Sequence, residues 1–202
     1  QALYGDKFRF DFSKNTWYYW NGEIWLLDNN GCAKKAAQYT IAKMADEIKV
    51  LYQQGDEKRA ETVYKHMKKS SSERARSDML KTAAPHMAVK PGIWNSKPEL
   101  LNLQNGTLNI ETLQFRGFNQ EDYLTFKAGV RYDPGAKCTE WLEHLSLVFG
   151  NDAELISAFQ LMAGYSLLSG NPDQVFFIPF GSGKNGKSVT INVLRMILGN
   201  YG

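Results

Sequence analysis

The stretch Val175-Phe176-Phe177-Ile178-Pro179-Phe180-Gly181-Ser182-Gly183-Lys184-Asn185-Gly186-Lys187-Ser188 decides how this chain is read. Its first six residues are continuously apolar, the pattern of a strand buried on both faces of a parallel sheet. The next eight match Gly-x-x-x-x-Gly-Lys-Ser, a phosphate-binding loop. Beyond the loop, Ile191, Leu194 and Leu198 share one helical face, and Gly199 stands past its end. Average residue frequencies bring the four fixed positions together by chance in roughly one chain of this length per hundred. A strand before and a helix after make coincidence rarer.

Each residue type in the loop has a chemical reason. Gly181, Gly183 and Gly186 let the backbone bend and bring its N–H groups close to phosphate oxygens. The helix N-terminus that follows adds unpaired donors and a partial positive charge. Lys187 supplies a flexible point charge for the β- and γ-phosphates, and the Ser188 hydroxyl can ligate Mg²⁺ through the nucleotide. The loop alone calls for a nucleotide with Mg²⁺ and leaves kinases, GTPases, transporter ATPases and helicases open; ATP is what the family resemblance given below implies. The binding set is Gly181, Gly183, Lys184, Asn185, Gly186, Lys187, Ser188 and Val189, with Lys187 and Ser188 nearest the reaction.

Upstream, the hydrophobic period alternates between two and three-to-four. Phe8, Phe10 and Phe12 predict a half-buried strand, and Asn21-Gly22 between two aromatic-aliphatic runs predicts a hairpin. Trp17, Tyr18, Tyr19, Trp20 and Trp25 suit either base stacking or the core of a small sheet. Ile41, Met44, Ala45, Ile48, Leu51 and Tyr52 then mark one face of a helix. Ala60, Val63, Tyr64 and Met67 mark a second. Serines 70 to 72 interrupt the pattern and offer a cap for a third helix carrying Met79, Leu80 and Ala83, which Pro85 ends or kinks. Leu101 and Leu103, Asn105-Gly106, then Leu108 and Ile110 predict a second hairpin of the same turn type. Asp133-Pro134-Gly135 is a turn. Trp141, Leu142, Leu145, Val148 and Phe149 predict a helix. Asp152 caps another, running to about Ser169, with Leu155, Ile156, Phe159, Met162 and Ala163 on its buried side.

The 202 residues carry a net charge of only +3, yet residues 31–90 hold thirteen Lys and Arg against seven Asp and Glu. Lys65, Lys68, Lys69, Arg74 and Arg76 concentrate that charge at one helix–helix corner, a candidate nucleic-acid contact or a solvated helical face. Cys32 and Cys138 form no Cys-x-x-Cys pair, which argues against a disulfide scaffold or thiolate zinc site and suits a cytoplasmic location. His66, His86 and His144 share no metal-ligand spacing and are read as ordinary surface or core residues. No run reaches the roughly 18 apolar residues of a membrane span, so an integral membrane protein is not expected. Gln1 to Asp6 show neither a leader pattern nor a leading Met.

Several motifs occur in a telling order: Pro98-Glu99-Leu100-Leu101-Asn102-Leu103-Gln104-Asn105-Gly106-Thr107-Leu108, Asp122-Tyr123-Leu124-Thr125, Tyr132-Asp133-Pro134, Phe149-Gly150-Asn151-Asp152 and Met162-Ala163-Gly164-Tyr165-Ser166-Leu167. With the loop, in which Asn185 is distinctive, and the tryptophan-bearing opening, they resemble the phage, plasmid and poxvirus primase–helicase family. The resemblance implies a superfamily 3 DNA helicase working as a ring, usually a hexamer, that hydrolyses ATP while moving along DNA during replication. Val189 stands where that family commonly has threonine, removing one hydroxyl near the phosphates.

The expected fold is an α+β N-terminal domain of small antiparallel hairpins and helices, followed by the first strand–loop–helix of an AAA+-like α/β motor. The expected divisions are 1–137 for the helicase-associated domain, 138–170 for a helical collar and 171–202 for the start of the ATPase, with a hinge near residues 169–172. Fifteen residues follow Lys187, too few for a Walker B pair, a sensor or an arginine finger. The chain is therefore read as a piece truncated just after the loop, not expected to hydrolyse ATP alone. The alternative is a non-catalytic DNA-docking or ring-oligomerisation module. Primer synthesis is disfavoured because the sequence supplies no clustered metal-binding carboxylates.

Overall fold

Three short strands open the chain because aromatic residues alternate there with polar ones. In the computed structural model, which describes residues 4–168, 173–181, 183 and 185–201, these are β1 (Phe8–Asp11), β2 (Thr16–Trp20) and β3 (Trp25–Leu27), an antiparallel meander. The register sets Phe8 opposite Tyr19 and Phe10 opposite Trp17. Trp17 meets both phenylalanines edge-on, at 6.3 and 5.0 Å between centroids. Trp25 and Tyr18 of the opening are buried, and Trp17 and Tyr19 pack against a core cluster of Phe8, Ala33 and Met87. The Asn21-Gly22 hairpin forms, with a four-residue connection rather than a two-residue turn. The Asn21 carboxamide accepts from the backbone N–H groups of Glu23 and Ile24, and Ile24 is thereby tucked into the interior.

The helices of this first unit, Gln1–Ile93, start where carboxylates or hydroxyls meet free N–H groups. α1 (Cys32–Gln53) begins under Asp28, which accepts from Cys32 N at 2.6 Å and Ala33 N at 2.8 Å. α2 (Glu57–Ser70) is capped by Asp56, and α3 (Glu73–Ala83) by Ser72, the serine interruption read from the sequence. Ala33, Ala37, Ile41 and Leu51 form the buried stripe of α1, and Ala60 of α2 is fully buried. After α3 a 3-10 turn, Ala84–Met87, contains Pro85, and Val89 N donates to Phe10 O. The chain thus returns to β1, closing a core of Phe8, Ala33 and Met87 with Leu80 packed on it.

The second unit, Trp94–Gly202, has its own antiparallel sheet: β4 (Leu100–Leu103), β5 (Gly106–Asn109) and β6 (Phe115–Arg116). Leu103 pairs with Gly106, so the two-residue turn is Gln104-Asn105, one position before Asn105-Gly106. The reason lies at Gly106: a Cβ there would strike the Arg116 carbonyl oxygen and come within 2.7 Å of the Phe115 ring. Only glycine lets β6 pass so close. Asn105 is then free to clamp Tyr132 with two hydrogen bonds. Leu101, Leu103 and Ala128 form this unit's core, with Leu108, Leu167 and Tyr201 against it.

α4 (Thr139–Val148) and α5 (Ala153–Tyr165) follow, the latter capped by Asp152 as the sequence predicts. Phe159 joins the two helices by tilted contacts with Trp141 and Phe149. α5 ends at Tyr165 rather than near Ser169, and its expected buried side is only half-buried, with Leu155 exposed. α6 (Lys187–Leu198) leads into a last 3-10 turn, Gly199–Tyr201, that is pinned to the sheet: the Tyr201 hydroxyl accepts from Asn102 N, and Asn200 N donates to Lys127 O.

One sequence expectation is corrected. Residues 175–180 do not form a buried parallel strand. They pair with neither sheet among the described residues, and Phe176, Ile178 and Phe180 are exposed. A strand exists only through its ladder, and an apolar run without a parallel neighbour has nothing to bury against. The architecture is therefore α+β with two small antiparallel sheets and six α-helices among the described residues. The expected hinge at residues 169–172 lies outside the described residues.

Candidate functional site

The loop–helix junction is shaped by Gly186. It is the N-cap of α6 with φ 79°, a left-handed conformation that costs other residues about 1–2 kcal/mol. Unlike α2, α3 and α5, α6 has no side-chain cap and no acidic residue in its first turn. A helix start of this kind, with its N–H dipoles and no acidic neighbour in the first turn, suits an anion.

Lys187 folds back over the loop. Its ammonium donates to Gly181 O at 2.9 Å and to Asn185 Oδ1 at 2.7 Å. Gly181 leaves room for this arrangement, because a Cβ there would strike the Asn185 amide nitrogen. Asn185 and Lys187 are half-buried, while Gly183, Ser188 and Val189 are exposed. Lys184 and Ser182 lie outside the described residues. The residues fit a polyphosphate: a positive charge, a helix N-terminus without a side-chain cap and a serine hydroxyl, with no carboxylate in the first helical turn.

Two further residues hold this junction from below. Thr190, buried in the second turn position of α6, donates its hydroxyl to Gly186 O at 3.1 Å. His144 of α4 places Nε2 3.0 Å from the same hydroxyl and stacks on Trp141 at 5.5 Å. Sequence reasoning missed His144. It stands 46 residues before Thr190 and carries no motif, so only the packing of α4 on α6 reveals it.

The basic corner is less free than its charge count implies. Lys65 pairs with Glu61 at 2.8 Å, Arg76 with Glu73 at 2.7 Å and Arg74 with Asp78 at 3.9 Å. Hydrogen bonding to Lys65 holds the Glu61 carboxyl below its ordinary range, and Arg76 does the same to Glu73. Lys68 and Lys69 sit in the last turn of α2, where positive charge also answers the helix dipole. The first unit holds sixteen Lys and Arg against eleven Asp and Glu, the second eight against ten. Among the described residues no group of three His, Cys, Asp or Glu is placed to hold a metal ion, and no helix is long and apolar enough to cross a membrane.

The family described as D5 N terminal like matches residues 1–150. The chain belongs to that family. The D5 N terminal like match takes in the whole first unit, the β4–β5–β6 sheet and α4, and the phosphate loop lies beyond it. Among curated proteins, the chain is 31% identical over 112 residues to "Putative helicase 121R" of Invertebrate iridescent virus 3, covering 53% of this chain and 12% of that protein. It is 30% identical over 102 residues to "Putative helicase 184R" of Invertebrate iridescent virus 6, covering 48% of this chain and 10% of that protein. The chain thus spans about a tenth of the length of these relatives. The resemblance to a primase–helicase family drawn from the sequence agrees with the family match.

Proposed function

We propose that this D5 N terminal like chain is the N-terminal part of an ATP-dependent replicative DNA helicase of primase–helicase type from a phage, plasmid or virus, working as a ring. The observation that carries the reading is the uncapped start of α6 at Gly186, with the Lys187 ammonium drawn over the loop. Family membership and the names of the viral relatives support the helicase class.

In that role the backbone N–H groups at the start of α6 receive phosphate oxygens. Lys187 exchanges Gly181 O and Asn185 Oδ1 for β- and γ-phosphate oxygens, and Asn185 orients the ammonium before the nucleotide arrives. Ser188, exposed in the first turn, would hold Mg²⁺ together with the nucleotide's own oxygens, and the ion would neutralise phosphate charge there. Lys187→Ala in the full-length protein tests the reading. Magnesium-dependent ATP binding by calorimetry should fall at least about tenfold, and unchanged binding would overturn the assignment.

The surplus of basic residues in the first unit favours a second, compatible reading, a DNA-docking module. Exchange of both Lys68 and Lys69 for Glu should weaken DNA binding across sequences and lower the salt slope by about two. A slope that does not move removes these lysines from the interface.

A further inference from the structure

Resting on the phosphate-loop reading above, we infer that His144 is a positioning residue for the nucleotide site, acting through Thr190 on the first turn of α6. Its ring lies beside Gly186 and hydrogen-bonds to Thr190. It forms a relay: imidazole Nε2 to Thr190 Oγ1 at 3.0 Å, and Thr190 Oγ1 to the Gly186 carbonyl at 3.1 Å. With the Thr190 hydroxyl donating to Gly186 O, the imidazole is the donor to Thr190.

Three observations show that the contact is built rather than incidental. Thr190 is a buried polar residue whose hydroxyl has both its donor and its acceptor role filled. The His144 ring is fixed on its other side by stacking on Trp141, with the planes 23° apart. The ring edge and Val148 also fill the space beside Gly186: a Cβ there would lie 2.6 Å from Val148 Cγ2 and 3.3 Å from His144 Cε1. The same α4 residues thus hold both the cap of α6 and its second turn. Between those points lie Lys187, Ser188 and Val189, the residues whose N–H groups and side chains would address the nucleotide. A preorganised anion cradle loses affinity when its donors must be ordered on binding.

The test uses the full-length protein with MgATP as the probe. His144→Phe keeps a ring against Trp141 and removes the hydrogen bond; Thr190→Val keeps the volume and removes the hydroxyl. Each should raise the Kd for MgATP about three- to tenfold, and the double variant should cost no more than either single one, because both break one relay. His144→Gln, which can still donate, should recover part of the loss. Thermal unfolding without nucleotide separates a positioning role from plain destabilisation: a loss of affinity with the melting point preserved supports the inference. Wild-type affinity in Thr190→Val and His144→Phe, while Lys187→Ala abolishes binding, would overturn it and leave the loop reading intact. Absence of MgATP binding by the wild-type protein overturns the loop reading, and the inference with it.

Discussion

Asn102 and Thr107 face each other across the β4–β5 hairpin, and the Thr107 hydroxyl donates to Asn102 Oδ1 at 2.5 Å with both side chains 1% exposed. Asn102 is also a junction for the backbone: its carbonyl accepts from Ala128 N and its N–H donates to the Tyr201 hydroxyl. A polar pair in this position ties the sheet, the 126–132 segment and the end of α6 to one residue. Thr107→Val keeps the shape and strips the donor, leaving a buried oxygen short of a partner. The expected loss is about 1–3 kcal/mol of unfolding free energy, read as a lower denaturant midpoint at unchanged slope.

The carboxylate of Asp122, nearly fully buried, receives Arg116 at 2.7 Å on one oxygen and Lys97 at 3.1 Å on the other. Both cations are close to half-exposed, so water screens them and the pairing is worth less than a fully buried triad. Asp122→Asn should still cost about 1–3 kcal/mol, because it leaves two positive groups facing one another across a neutral amide. Chemical unfolding reads the loss. A midpoint equal to wild type would show that the lysine and arginine are satisfied by solvent alone.

Alkaline stability turns on Tyr201. Burial pushes its phenol above the ordinary value of 10.0, opposed by the hydrogen bond from Asn102 N. The folded state therefore keeps the proton where the unfolded chain releases it. The stabilising contribution is complete below pH 10 and is lost as pH rises from there through the folded pKa. Melting temperatures between pH 9 and 11.5 should fall faster for wild type than for Tyr201→Phe, which has no phenol to ionise. Parallel curves would remove Tyr201 as the source.

Local chemistry explains what was legible in the sequence. The caps at Ser72 and Asp152 act within three residues, so those helix starts can be read from single side chains. The amphipathic stripe of α1 is likewise a local period, buried at Ile41 and Leu51 and half-buried at Met44, Ala45 and Ile48, although Tyr52, read as part of it, is exposed. What escaped depended on residues far apart. The shift of the second hairpin turn to Gln104-Asn105 follows from Phe115 and Arg116 crossing Gly106, nine and ten residues away. The apolar run at 175–180 has the pattern of a buried strand, and the pattern cannot say whether a neighbouring strand is present. In the candidate site the motif names Gly181, Asn185, Gly186, Lys187 and Ser188, while His144 and Val148 enter only through packing. The corner of basic residues shows the converse: its charge is legible, while its pairing with Glu61, Glu73 and Asp78 depends on side-chain geometry.

Gly186→Ala separates two reasons for glycine at the N-cap of α6. The first is conformational, since φ 79° strains any residue with a Cβ by about 1–2 kcal/mol. The second is steric, since the new methyl would sit 2.6 Å from Val148 Cγ2 and α4 or the loop must move. The single variant should lose MgATP binding by more than about tenfold, as the leading N–H groups of α6 are displaced from the phosphates. Adding Val148→Ala removes the collision and leaves the strained φ. The double variant should therefore regain part of the affinity and part of the melting temperature, and a cycle over the four proteins should show coupling of about 0.5–3 kcal/mol. Strict additivity would mean that α4 does not press on the loop and that backbone conformation alone demands the glycine.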